Sequence, residues 1–277
     1  MMSSQDKQAS NGDLKPLIVC ADDFGMNPAA NRAILALADA GRLSATSCLV
    51  DGPCFAQGAA ALRARQVQKG LHLNFTDNLG QPGLHQPLKA LICDAYLYRL
   101  DVAAVRAQIV RQLDRFEAVM GQAPDYADGH LHVHQLPQIR DELVFELSRR
   151  YGHKPGFWLR STQMRSQPAM PAGLRFKARV IQALGAGALV KLARESGFQT
   201  NPRFLGAYDF QGGAAAYGRW LDAWVSVAQP GDVMMCHPEQ AQVDDARIDP
   251  QRNAEFTLLH GPAFANALSR YGVRVQV

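Results

Sequence analysis

Short apolar runs with strand character alternate with helical segments along nearly the whole chain, and few folds accept that rhythm. Residues 17–21, 45–50, 70–75, 126–132, 157–160, 232–236 and 273–277 read as strands, with 204–210 as a further candidate. Helical patterns fall at 28–39, 55–65, 102–120, 137–151, 218–227 and 252–271. Asn27 is placed to cap the first helix, with Pro28 at its first position, and Asp101 to cap the long one. Repeated strand–helix units imply parallel strands with helices packed outside them. The expected fold class is α/β: an irregular (β/α) barrel resembling a deformed TIM barrel, with an inserted helical segment. An open doubly wound sheet is the alternative, weakened because no G-x-G-x-x-G follows the first strand. Residues 76–98 read as a long irregular loop and 161–200 as a Pro-, Gly- and Ala-rich insertion over the active face.

A chain of 277 residues, 47% hydrophobic and 19% charged, can bury one large core. The expectation is a disordered polar N-terminus over 1–14, without the apolar segment of a signal peptide, and one catalytic domain over 15–277. The net charge of +4 is modest and no stripe of Lys/Arg interleaves with aromatics, so nucleic acid is not an expected partner. Arg149 and Arg150 read as the solvated end of a helix. Cys20, Cys48, Cys54, Cys93 and Cys236 are dispersed, form no CxxC pair and show no polar partner, which suits a reducing cytoplasm better than a disulfide framework or a thiol nucleophile. The longest apolar stretch, 180–193, is broken by Gln182 and Lys191 and is too short to span a bilayer, although it could rest against a lipid-like substrate or a homodimer interface.

Polar residues collect where the strands end. Asp22-Asp23 follows the first strand, and two adjacent acids there repel each other and lose hydration. One can cap a helix; equally, one can hold a metal while the other acts as a base. His72 and Asn74 lie on the third strand, and Asp128-Gly129-His130-Leu131-His132-Val133-His134 on the fourth. Alternation on a strand would place all three histidines on one side. His237-Pro238-Glu239 closes a late strand, reading either as an exposed turn or as a proton donor to a leaving amine. The C-terminal edge of a parallel sheet is where ligands bind. An Asp with two His leaves room for water around a divalent ion, Zn²⁺ first, with Mn²⁺, Co²⁺ or Mg²⁺ as alternatives.

Taken together, Ala21-Asp22-Asp23-Phe24-Gly25, Ser44-Ala45-Thr46, Gly70-Leu71-His72-Leu73-Asn74, the 128–134 segment with Pro137, and His237-Pro238 resemble the YdjC/ChbG family of carbohydrate deacetylases, distantly related to the NodB-type polysaccharide deacetylases. The resemblance runs from about residue 16 to the end. It implies a metal-dependent hydrolase removing the N-acetyl group from an acetamido sugar, either a chito-oligosaccharide or an N-acetylglucosaminyl glycolipid such as a hopanoid. It implies Asp22 as general base, Asp23, His72 and His130 as metal ligands, and His237 as general acid. Asn74, Asp128, His132 and His134 would then face substrate or orient a ligand, and Arg160 would hold the base or the sugar. Another metal-dependent amidohydrolase or phosphoesterase, or a non-catalytic sugar or lipid binder, would share the same barrel.

Overall fold

A computed structural model describes residues 14–242 and 249–276. Residues 1–13, expected as a polar tail, and Val277, expected to end the last strand, lie outside the described residues. The strands are β1 (Lys15–Phe24), β2 (Ala45–Cys48), β3 (Gln68–Leu73), β4 (Tyr126–Gly129), β5 (Trp158–Leu159), β6 (Gln199–Thr200), β7 (Phe204–Leu205), β8 (Val233–Cys236) and β9 (Val273–Val275). The helices are α1 (Pro28–Asp39), α2 (Phe55–Arg63), α3 (Leu88–Tyr96), α4 (Val102–Met120), α5 (Ile139–Tyr151), α6 (Ala172–Ala183), α7 (Ala186–Glu195), α8 (Gly213–Val227), α9 (Pro250–His260) and α10 (Pro262–Tyr271).

The described strands pair in parallel, in the order β6-β5-β4-β3-β2-β1-β8-β7, with β9 beside the start of β1. A doubly wound sheet reverses its strand order at a switch point; here consecutive strands are neighbours from β1 to β6 and the chain returns to β1's other side through β8. That is the path of a barrel left open between β6 and β7, and the deformed (β/α) barrel is the fold. The central strands β1, β2, β4 and β8 are buried on both faces, which explains their continuous apolar runs.

Several boundaries differ from the sequence reading. The 76–98 segment contains α3, whose Leu91 and Ala95 are buried against the core. The single helix expected over 252–271 is two, because Gly261-Pro262 interrupts it. The candidate strand at 204–210 is two residues long. The 161–200 segment carries α6 and α7 and ends in β6, which extends the sheet beyond β5. Arg150 is not simply solvated: it pairs with Glu146 and Asp114 across α5 and α4. Asn27 and Asp101 do cap their helices, accepting from backbone N–H groups of the first turn. Among the described residues no helix is long and apolar enough to cross a membrane.

Candidate metal and hydrolytic centre

β1 delivers its two acids through a bulge. Cys20 and Ala21 pair with Ala45 and Thr46, but Phe24 pairs with Cys48, so β1 carries one extra residue. Asp23 occupies the left-handed region at φ 69°. In a regular strand, neighbours point to opposite faces; the bulge instead turns both carboxylates toward the same end of the barrel. Neither acid caps α1, since Asn27 does.

The expected strand over 126–132 stops at Gly129. A 3-10 turn follows from His130 to Gln135, with Leu131 at φ 52° and His132 at φ 61°. The three histidines therefore do not share a strand face. A Cβ on Gly129 would lie 2.9 Å from the His134 backbone nitrogen and 3.0 Å from its Cβ, so the chain can fold back this tightly only over a glycine. His130 points to Asp23, with Nδ1 3.1 Å from Oδ1. His134 turns inward and donates from Nε2 to the Arg160 carbonyl at 2.9 Å. His132 stands edge-on to Phe204 beside the cavity.

Asp23, His72 and His130 each offer a donor atom, and these atoms lie within 4.8 Å of one another. All three residues are buried. His72 Nε2 faces Asp23 at 3.5 Å, while its Nδ1 is 2.6 Å from Asp128 Oδ1. A carboxylate on the far nitrogen sets the tautomer so that the other nitrogen can bind a cation. Burial lowers the His130 pKa, but Asp23 and Asp77 outweigh it and lift the value to about 10. The donor set is thus short of positive charge, and one carboxylate with two imidazoles suits a divalent cation.

Asp22 stands apart from that set. Arg160, fully buried, grips it through Nη1–Oδ2 at 2.7 Å and Nη2–Oδ1 at 2.6 Å. The same Nη2 lies 2.6 Å from Asp128 Oδ2 and 3.0 Å from Ser47 Oγ. Burial alone would raise the Asp22 pKa; the Arg160 guanidinium reverses this and holds it well below the usual carboxylate range. Cys20 is not without polar partners: Arg160, Ser47 and Tyr126 surround its sulfur. Burial nonetheless pushes that thiol up to about 12, so it stays protonated.

Across from Asp22, His237 Nε2 lies 3.9 Å from Oδ2. Burial brings the His237 pKa down to about 4, against the pull of Asp23 and Asp22. Its backbone N–H is held by the buried Glu255 at 2.6 Å. Asn74 does not face the cavity; its Oδ1 accepts from Thr76 and Asp77 N–H groups and shapes the loop that carries Asp77. Sequence reasoning missed Arg252, whose Nη1 reaches Asp23 Oδ2 at 3.0 Å, and Asp77, which sits 3.3 Å from His130 Nε2. Both come from loop or helix positions with no local motif, so no sequence signal marked them. Asp22, Asp77, His130, His132, His237 and Arg252 open onto a cavity of about 620 Å³. Its far wall is apolar, with Leu88 and Ile92 from α3, Leu136 after the 3-10 turn, and Ile181 and Leu184 from α6 and its end.

Fold and site together define a parallel (β/α) half-barrel with a buried Asp-His-His cluster beside a second, arginine-clamped carboxylate at its mouth. The chain belongs to the YdjC-like protein family, whose model matches residues 16–270. It is 32% identical over 150 residues to a carbohydrate deacetylase of Mus musculus, covering 49% of this chain and 48% of the mouse protein. It is likewise 32% identical over 155 residues to a chitooligosaccharide deacetylase of Salmonella schwarzengrund, covering 52% of this chain and 58% of that one. The matches thus span about half the length of these curated relatives. A solved structure from Enterococcus faecalis V583, of a protein provisionally assigned to cellobiose-phosphate cleavage, superposes with a TM-score of 0.68 at 20% identity, over 95% of this chain and 97% of its own. A peptidoglycan N-acetylglucosamine deacetylase superposes at 0.52 with 10% identity, over 94% and 85%. At these identities the structural likeness concerns the fold.

Proposed function

We propose that this protein hydrolyses the N-acetyl group of an acetamido sugar, a chito-oligosaccharide or an N-acetylglucosaminyl glycolipid, with a divalent cation, Zn²⁺ first, held by Asp23, His72 and His130. The observation that carries the reading is the separation of roles between adjacent acids: Asp23 belongs to a three-donor cluster, while Asp22 is held apart from it by Arg160. A cation bound there supplies Lewis acidity to the amide carbonyl. Asp22, ionised at neutral pH, accepts a proton from the attacking water as the oxygen–carbon bond forms. His237, neutral and 3.9 Å from Asp22, carries that proton to the nitrogen as the carbon–nitrogen bond breaks, releasing acetate and the amino sugar. Arg160 keeps Asp22 oriented, and Asp128 keeps the His72 ring turned toward Asp23. The names of the curated relatives support an acetylated sugar as substrate.

The test is acetate release from a panel of acetylated glycans, with and without a chelator. Activity that survives complete demetallation would remove the cation from the scheme. Asp22→Asn should keep metal stoichiometry while turnover falls by about 10²–10⁴-fold, the usual loss for a proton-transfer group. Near-normal turnover would remove Asp22 from the role of base.

A further inference from the structure

The hairpin of α6 and α7 has a face that neither the core nor the cavity uses. Leu174 and Ala178 of α6 are buried and Ile181 lines the cavity. Phe176, 68% exposed, and Val180, 43% exposed, stand one turn apart on the opposite side. Beside them, Tyr96 and Tyr98 at the end of α3 share a groove of about 520 Å³ with Arg179 and Gln182. Tyr98 is 68% exposed and the adjoining Leu97 52%. At the cavity mouth, near Ile181, Leu131 is also exposed.

The charge beside the apolar stripe of α6 is positive. Arg175, Arg179 and Arg194 are exposed; Lys177 instead turns to the cavity and donates to the Tyr208 carbonyl, and Lys191 pairs with Glu195 at the end of α7. An exposed apolar stripe flanked by cations is the pattern of a helix lying in a membrane interface, where the apolar residues enter the acyl boundary and the cations meet anionic headgroups. A second copy of the same face would set these cations against each other, which disfavours self-association there. A nucleic acid would use the cations and could stack on Phe176, Tyr96 or Tyr98, but it leaves the exposed aliphatic Val180 and Leu97 without a partner.

We infer that the α6–α7 face seats this protein on an anionic bilayer surface through Phe176 and Val180, on the side of α6 away from the cavity. The inference stands on exposure and charge and does not depend on the reaction proposed above. No helix needs to cross the bilayer for it.

The experiment is co-sedimentation of the full chain with vesicles of phosphatidylcholine alone and of phosphatidylcholine mixed with phosphatidylglycerol. The chain should bind the mixed vesicles, bind the neutral ones weakly, and lose binding as salt is raised. Phe176→Ser with Val180→Ser, and separately Arg175→Glu with Arg179→Glu, should each lower partitioning by about tenfold or more. Both pairs lie at exposed positions, and unchanged circular dichroism and melting temperature would show that they fold. Arg219→Glu on α8 should bind as the parent does. A Phe176→Trp variant should show a blue-shifted emission on mixed vesicles. The inference is overturned if the parent chain ignores mixed vesicles, if both double variants bind like the parent, if light scattering shows that the double variants dissolve a dimer, or if a DNA duplex competes the chain off vesicles at stoichiometric concentration.

Discussion

Arg160→Met is the perturbation that tests the electrostatic design of the site most directly. Arg160 is fully buried and faces Asp22, 2% exposed, and Asp128, fully buried. Methionine keeps most of the apolar stem and removes the guanidinium, leaving two carboxylates without their shared cation. Breaking a buried pair from one side costs about 3–5 kcal/mol, because the stranded charge loses its partner and does not regain water. Asp128 retains His72 and Ser47, so most of the loss should fall on Asp22. The assay is urea unfolding in the presence of a chelator, since a bound cation would offset part of the missing charge. Arg160→Met combined with Asp22→Asn should recover about 1–3 kcal/mol of the loss. The pH dependence should change sign as well. In the parent, the depressed Asp22 pKa contributes stability that is present above the unfolded value near 3.8 and is lost only as pH falls through the lower folded value. Without Arg160, burial dominates and raises the Asp22 pKa, so stability should fall as pH rises above 3.8. A loss below about 1 kcal/mol, or a double variant no more stable than the single one, would refute the assignment of Arg160 as the clamp on Asp22.

Three further outcomes are expected. Asp128→Asn removes the charge behind His72 and should weaken divalent-metal affinity by about 10–100-fold, read by competition with a chromophoric chelator. Glu255→Gln should flatten a pH dependence of stability: burial raises the Glu255 pKa from 4.5 to about 7, so the parent should lose about 3 kcal/mol relative to the variant as pH rises through that interval, measured by denaturant midpoints between pH 4 and 8. Gly129→Ala should destabilise the chain by about 1–3 kcal/mol, because the new Cβ would press on His134 at 2.9–3.1 Å, and thermal melting of the metal-free protein checks it.

Much of the fold was legible because the central strands are buried on both faces and α1 and α4 carry side-chain caps. The caps at Asn27 and Asp101 were readable residue by residue. The reading failed where a local pattern imitated another. His-Leu-His-Val-His alternates like a strand, yet Gly129 allows the backbone to turn and Leu131 and His132 go left-handed. The helical pattern over 252–271 hides a break at Gly261-Pro262, since proline cannot donate to the preceding turn. Loop 76–98 hid α3 because its helical signal is short and its burial comes from partners elsewhere in the chain.

Periodicity and residue chemistry are local properties, so the amino-acid order is enough to dictate the alternating α/β architecture and the side chains available at the strand ends. Which of those side chains meet is settled by the packing of the whole barrel. The bulge in β1 separates Asp23, beside His72 and His130, from Asp22, beside Arg160. The packing of α9 and of the loop after β3 brings Arg252 and Asp77 to the cluster from positions that no motif marks. Distances and buried charge depend on residues far apart in the chain, and so they exist only once the barrel has formed around them.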